Sequence, residues 1–198
     1  MNNYHVVKYV GHFGFIKPWT SVRDSEVFSQ QFLTPSMIAG IERKLFPELL
    51  KMPFDIFKIK RHRLSYTQMA AQQEQIQPRG WNSRRVGNKN AAVREYSILV
   101  RSILLYPVLH LAFERQEDAL NAFSQHICLA RNEDILLPEE LIEVTIDAFD
   151  NDEERFSGYE LMFEQNDSSI LVGFNRFDHG QPMYGWLKVL GHPVKSTK

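Results

Sequence analysis

Residues 94–113, REYSILVRSILLYPVLHLAF, set the strongest constraint on what this chain can fold into. The run is crowded with β-branched and large apolar side chains, which lose rotamer freedom in a helix and pack well on a pleated surface, so it belongs in a sheet. Pro107 has no amide proton to give a ladder, so it predicts a break or an edge position within the extended run. Upstream, YHVVKYV alternates and predicts a strand over Tyr4–Val10. Thr34 followed by Pro35 reads as an N-cap and a first-turn proline. Met37, Ile38, Ile41, Leu45 and Phe46 then recur at helical spacing, predicting a helix from Pro35 to Phe46. FDIFKIK, residues 54–60, reads as a second strand. ERQEDALNAFSQ, with Ala119, Leu120 and Phe123 on one face, reads as a second helix, and HICLA as a short buried strand.

The resulting order, βαββαβ, is a ferredoxin-like arrangement shared by RNA-recognition modules and many unrelated proteins. Beyond Pro138, GYELMFE, SILVGFNRF and MYGWLKVLG are separated by the turn-forming QNDS and DHGQP, which predicts a C-terminal β-meander. The expected class is α+β. With 43% hydrophobic residues in 198, the chain can bury one sizeable core. Cys128 stands alone, which excludes a disulfide framework and a cysteine-based metal site. His179 and His192 have no partner at ligand spacing, so no metal and no cofactor is expected. MNNYHVVKYV lacks the charged and apolar regions of a leader, and no apolar run is long enough for a membrane span, so the expected location is cytoplasmic.

Charge is segregated along the chain. Between Lys58 and Arg94 nine basic residues face only Glu74, a net of +8; between Glu133 and Asp167 thirteen acids face only Arg155, a net of −12. The basic residues from Arg61 to Ala92 fall in Gln-rich and Gly/Asn-rich sequence too polar for a core, predicting an insertion or long loop. Clustered cations displace counterions from a phosphate backbone, and interleaved aromatics stack on splayed bases. Arg61, Arg63, Arg79, Trp81, Arg84, Arg85 and Lys89 are therefore candidate RNA contacts. So are Arg131, after the short HICLA strand, and Lys17, Trp19 and Arg23 in GHFGFIKPWTSVRD, where Gly11 and Gly14 would let backbone amides approach phosphate beside a helix start. The plainer readings stay open: a basic loop can be a solvated face, Phe13 and Phe15 can face inward, Trp81 can be core, and Arg131 can pair with Glu133. The acidic block is expected to be solvated surface. For RNA cleavage by internal attack, Lys60, His62, Tyr66 and Tyr96 are weak candidates for general base or cation, His62 being kept neutral by the cations of KRHRLSY. No phosphate loop or nucleophile elbow is present.

Taken together, the opening strand, GHFGFIKPW, FLTPSMIAGIERKLF, the polar insertion, REYSILVRSILLYPVLHLAF and ALNAFSQHICLARNEDIL resemble the Cas-five family of CRISPR-associated proteins, of the RAMP superfamily. That family shows P-S/T-x-x-x-G at a helix start, here Pro35, Ser36 and Gly40. It also ends its fold on P-x-Y-x-L-Y-L-G-R; the corresponding HICLARNED has Arg131, with Ala130 in place of the usual glycine. The resemblance covers Tyr4 to Leu136. It implies a RAMP domain over 1–136 with a thumb-like insertion at 61–95, and a β-rich extension over 137–198. It also implies a structural subunit of a type I Cascade complex that holds the crRNA 5′ handle, caps the Cas-seven backbone, contacts the large Cas-eight-type subunit and reaches target DNA through the complex. Two other readings remain: a metal-independent endoribonuclease acting on precursor crRNA, and a protein-interaction module with a basic surface.

Overall fold

The computed structural model describes residues 3–17, 26–53, 55–76, 81–86, 89–94, 97–175 and 179–194. In chain order its elements are β1 (Asn3–Val10), β2 (Phe13–Gly14), β3 (Glu26–Phe28), α1 (Pro35–Leu45), β4 (Ile59–Ser65), β5 (Gln68–Ile76), β6 (Trp81–Val86), β7 (Lys89–Arg94), β8 (Ser97–Leu105), β9 (Val108–Phe113), α2 (Gln116–Phe123), β10 (Ile127–Cys128), β11 (Ile135–Thr145), α3 (Ile146–Asn151), α4 (Glu153–Phe156), β12 (Gly158–Met162), β13 (Ile170–Asn175) and β14 (Gln181–Leu190). The protein is mixed α+β and rich in strand.

An eight-stranded sheet in the order β10-β11-β1-β9-β4-β12-β14-β13 organises the molecule. Within it, β11-β1-β9-β4 is antiparallel throughout; α1 lies in the connection from β1 to β4, and α2 in that from β9 to β11. Strand alternation divides β1 between two cores. Val7 and Tyr9 pack with Ile38, Ile41 and Leu45 of α1 and Ala119 and Ala122 of α2, whereas Tyr4 and Val6 pack with Phe149 of α3 and Phe156 of α4 on the opposite face. Tyr9 fixes the first face by donating its hydroxyl proton to the Ala122 carbonyl at 2.6 Å, in a site whose burial pushes its pKa up.

Several expectations shift in register. The second strand runs over Ile59–Ser65, five residues later than FDIFKIK suggests. The cause is Glu42, fully buried on α1, whose carboxylate accepts the amide protons of Phe57, Lys58 and Ile59 at 2.5 to 3.1 Å. With these amides bonded to a side chain, the ladder begins only at Ile59, opposite Phe113. The segment from Arg61 is correspondingly no loop: 61–65 lie in β4 at the heart of the sheet, and β5 and β8 pair residue for residue from Gln68↔Leu105 to Ile76↔Ser97. β6 and β7 continue outward as a two-stranded ribbon. β2 and β3 pair with β8, β3 in parallel. The predicted break at Pro107 is the corner between β8 and β9, where Tyr106 adopts φ 50°.

β11 is an eleven-residue strand that carries part of the acidic block into the sheet and tolerates Pro138 at a bulge opposite Tyr9; residue 136, the expected domain boundary, lies inside it. The C-terminal strands do not form a meander either. β14 is long enough to serve two neighbours, pairing its 181–185 half with β13 and its 186–190 half with β12, which places β13 at the edge.

Candidate nucleic-acid interface

The ribbon β6–β7 carries the exposed basic residues. Arg84, Arg85 and Lys89 are all solvent-facing, and no ion pair joins them among the described residues. The register Arg84↔Ala91, Arg85↔Asn90 and Val86↔Lys89 puts the Arg84 and Lys89 positions on one face of the ribbon and Arg85 on the other. A two-stranded ribbon with cations on both faces can follow a phosphate chain along either side. Trp81 opens β6, and its side chain lies outside what is described, as do Trp19, Arg23, Arg79 and Tyr96.

The opening loop is built differently from a stacking platform. Gly11 and Gly14 are close-approach positions: a Cβ at Gly11 would stand 2.7 Å from the Ile135 carbonyl oxygen, and one at Gly14 would stand 2.5 Å from Leu129 Cδ1. Phe15 is buried, with the Arg101 and Arg131 guanidinium groups 5.2 and 5.7 Å from its ring centroid. Ile16 is buried too, its amide donating to Ser29 Oγ at 2.9 Å. Lys17 emerges exposed immediately after it. The loop is therefore core from Gly14 to Ile16, and Lys17 is its described lysine or arginine.

Arg61, Arg63 and Arg131, expected to contact RNA, have internal occupations. Arg61 donates to Glu160 at 2.6 and 2.8 Å and to Asp150 at 2.7 Å. Arg63, with no exposed side-chain surface, donates to Glu160 at 3.3 Å, to Asp150 at 3.2 Å and to the Phe149 and Phe156 carbonyls, and stands 4.3 Å above the Phe149 ring. Lys188 reaches Asp150 at 2.8 Å. Burial opposes Arg61's charge, but its hydrogen bonds to Glu160 and Asp150 outweigh it and raise its pKa; burial prevails at Arg63, lowering it from the ordinary arginine value. Arg131 donates to Asp134 at 2.7 Å and to Gln72 at 3.1 Å, and stands 3.4 Å from Glu133, so that its pKa rises through the Asp134 hydrogen bond. The two charge blocks, distant in sequence, thus neutralise each other in part inside the fold. The expectation of a wholly solvated acidic face gives way for Asp134 and Glu160, both buried, and for Asp150.

Asp150 supplies an acid-stability prediction. Burial raises its pKa, but the Arg61 and Lys188 hydrogen bonds more than offset this and hold it at about 2, below its ordinary 3.8. A carboxyl depressed by folding stabilises the native state above its unfolded pKa, and that contribution fades as pH falls from about 4 through 2. Urea midpoints should fall by the equivalent of about 2 kcal/mol across that window, and Asp150→Asn should flatten the profile. An equally steep profile in the variant would assign the acid sensitivity elsewhere.

Of the residues considered for catalysis, Lys60, His62 and Tyr66 are described, and they do not converge on an open site. His62 is buried, its ring stacked on Phe163, and burial foremost lowers its pKa to about 4. Lys60 lies 3.6 Å from Glu114, and Tyr66 donates inward to Gln31 at 2.8 Å. No cluster of three metal-ligating side chains occurs among the described residues, and no described helix is long and apolar enough to cross a membrane.

With this geometry in hand, comparison with known proteins is informative at the level of architecture. A chain in a solved structure titled "CRISPR RNA-guided surveillance complex" superposes on this one with a TM-score of 0.55, spanning 96% of this chain and 91% of that one at 12% identity. The fold is shared. No family model matches the sequence, and no curated protein matches it either. At this identity the likeness shows the fold alone, and the basic ribbon is described from this chain alone.

Proposed function

We propose that this protein is an RNA-binding structural subunit of a CRISPR surveillance complex of the Cascade type, a RAMP protein of the Cas-five kind that holds the crRNA 5′ handle. The observation that carries the reading is the fold likeness over nearly the whole of both chains to a component of an RNA-guided surveillance complex. The antiparallel order β11-β1-β9-β4 with α1 and α2 packed in one core supports a ferredoxin-like centre, since that is the order a split βαβ pair produces. The exposed cations of the β6–β7 ribbon supply the electrostatic attraction an RNA backbone needs. In this reading the ribbon is the thumb, Lys17 adds a contact at the opening loop, and Trp19, Arg23, Arg79 and Trp81 are further candidates. Arg61, Arg63 and Arg131 position the scaffold from within. The partners are the guide RNA, a Cas-seven-type backbone, a large subunit and, through them, target DNA, in the cytoplasm.

The reading is tested by co-expressing the chain with backbone and large subunits and a repeat-derived guide RNA. The expected outcome is a stoichiometric ribonucleoprotein containing this chain, and RNA contamination or aggregation when the chain is made alone. A clean, nucleic-acid-free monomer at high concentration that enters no such complex overturns it.

A further inference from the structure

On the helix side of the C-terminal hairpin lies a cavity of about 360 Å³ that the RNA reading does not use. Its floor is Ala39 of α1, and its walls include Asp55, Phe163, Gln165, Met183 and Tyr184. Phe163 is the telling member. Its ring stacks on His62 with centroids 5.4 Å apart and planes 24° from parallel, and it remains 39% exposed. His62 is buried, 3% exposed on the central strand β4, so packing limits how far its ring can turn. An aromatic ring in a solvent-reached cavity is therefore held in one orientation by a buried partner, where a free phenyl group would rotate and cover the opening. Around it stand an amide, a carboxylate and a phenol, groups that pair with the edge of a flat heterocycle. Among the described residues no lysine or arginine lines the cavity, and Asp55 would repel phosphate.

We propose that this cavity binds one nucleobase bearing an exocyclic amino group, stacked on Phe163 and read at its edge by Gln165, Asp55 and Tyr184. A volume of this order is at the small end of ligand pockets and suits a single base with its sugar. The exocyclic amine is specified because Asp55 contributes acceptors only, and the Gln165 amide can accept as well as donate. Recognition led by the base, with no phosphate contact, makes the site independent of the ribbon and of the proposed assembly. The base can arrive on a single strand or on a free nucleoside.

The test titrates the full-length chain with adenosine, uridine, oligoadenylate and oligouridylate by calorimetry at two salt concentrations. Adenosine is expected to bind more tightly than uridine, with affinity unchanged by salt. Phe163→Ala is expected to weaken it about tenfold, in line with the loss of one stacked base. Gln165→Ala, at an exposed position that leaves the core intact, is expected to narrow the adenosine-to-uridine ratio, and Arg84→Glu with Arg85→Glu to change neither. Binding of oligoadenylate without adenosine, if abolished by Phe163→Ala, supports a strand-borne base; binding of both supports a free one. Adenosine affinity indifferent to Phe163→Ala and Gln165→Ala, affinity lost with the ribbon cations, or no binding of adenosine or oligoadenylate overturns the proposal. Such a failure leaves the guide-RNA reading standing, because that rests on the ribonucleoprotein assay.

Discussion

Glu160→Ala is expected to destabilise the protein by about 3 to 5 kcal/mol, the range observed when one partner of a buried ion pair is removed. The size follows from what Glu160 does: it is almost fully buried on β12 and accepts from both Arg61 and Arg63 across the β4–β12 boundary. Without it, two guanidinium groups share the partly exposed Asp150, which also receives Lys188. Uncompensated charge in a low-dielectric site is among the few causes of so large an effect. The second core, around Tyr4, Phe149 and Phe156, should loosen with it, because Arg63 bonds the carbonyls of both phenylalanines. Thermal melting should fall by about 10 °C for a chain of this length. The triple variant Arg61→Met, Arg63→Met and Glu160→Leu should recover part of the loss, since it removes the desolvation cost of three buried charges but leaves the Phe149 and Phe156 carbonyls without the Arg63 donor. A Glu160→Ala protein that melts within a degree or two of the parent would show that the cluster is solvated and replaceable.

This cluster also explains what the sequence could and could not convey. Elements whose apolar residues follow one period were legible: β1, α1, α2, and the break between β8 and β9 at Pro107 all arise from local pattern. Arg61, His62 and Arg63 in KRHRLSY look like loop because no local rule distinguishes an arginine facing water from one facing a carboxylate nearly a hundred residues away. β11 was hidden for the same reason, its glutamates reading as solvated while Leu136 is buried against the helices and Glu140 meets Arg155 at 2.7 Å. FDIFKIK misleads because the amides of residues 57–59 bond to the Glu42 side chain. Segregated blocks of opposite charge were the available signal for Arg61 and Arg63, since a chain that separates its charges in sequence can reunite them in space. The exposure of the ribbon cations was legible, because no described carboxylate pairs with them.

Replacing Arg84, Arg85 and Lys89 together by glutamate should leave the melting temperature within about 2 °C of the parent while sharply weakening guide-RNA binding. Exposed residues on a two-stranded ribbon contribute little to folding, and substitutions at such sites stay within about 0.5 kcal/mol each. In the proposed RNA-binding role their contribution would be long-range and additive. With each single-strand phosphate contact adding about 0.7 to the slope of log affinity against log salt, loss of three should flatten the slope by about 2. The register sharpens the test, because Arg84 and Lys89 share one face of the ribbon and Arg85 occupies the other. A strand lying along one face would make Arg84→Ala with Lys89→Ala costly and Arg85→Ala neutral, or the reverse, whereas a strand threaded beneath a closing ribbon would make every one of the three costly. A filter-binding titration across salt concentrations separates these outcomes, and an unchanged slope in the triple variant would remove the ribbon from the RNA path altogether.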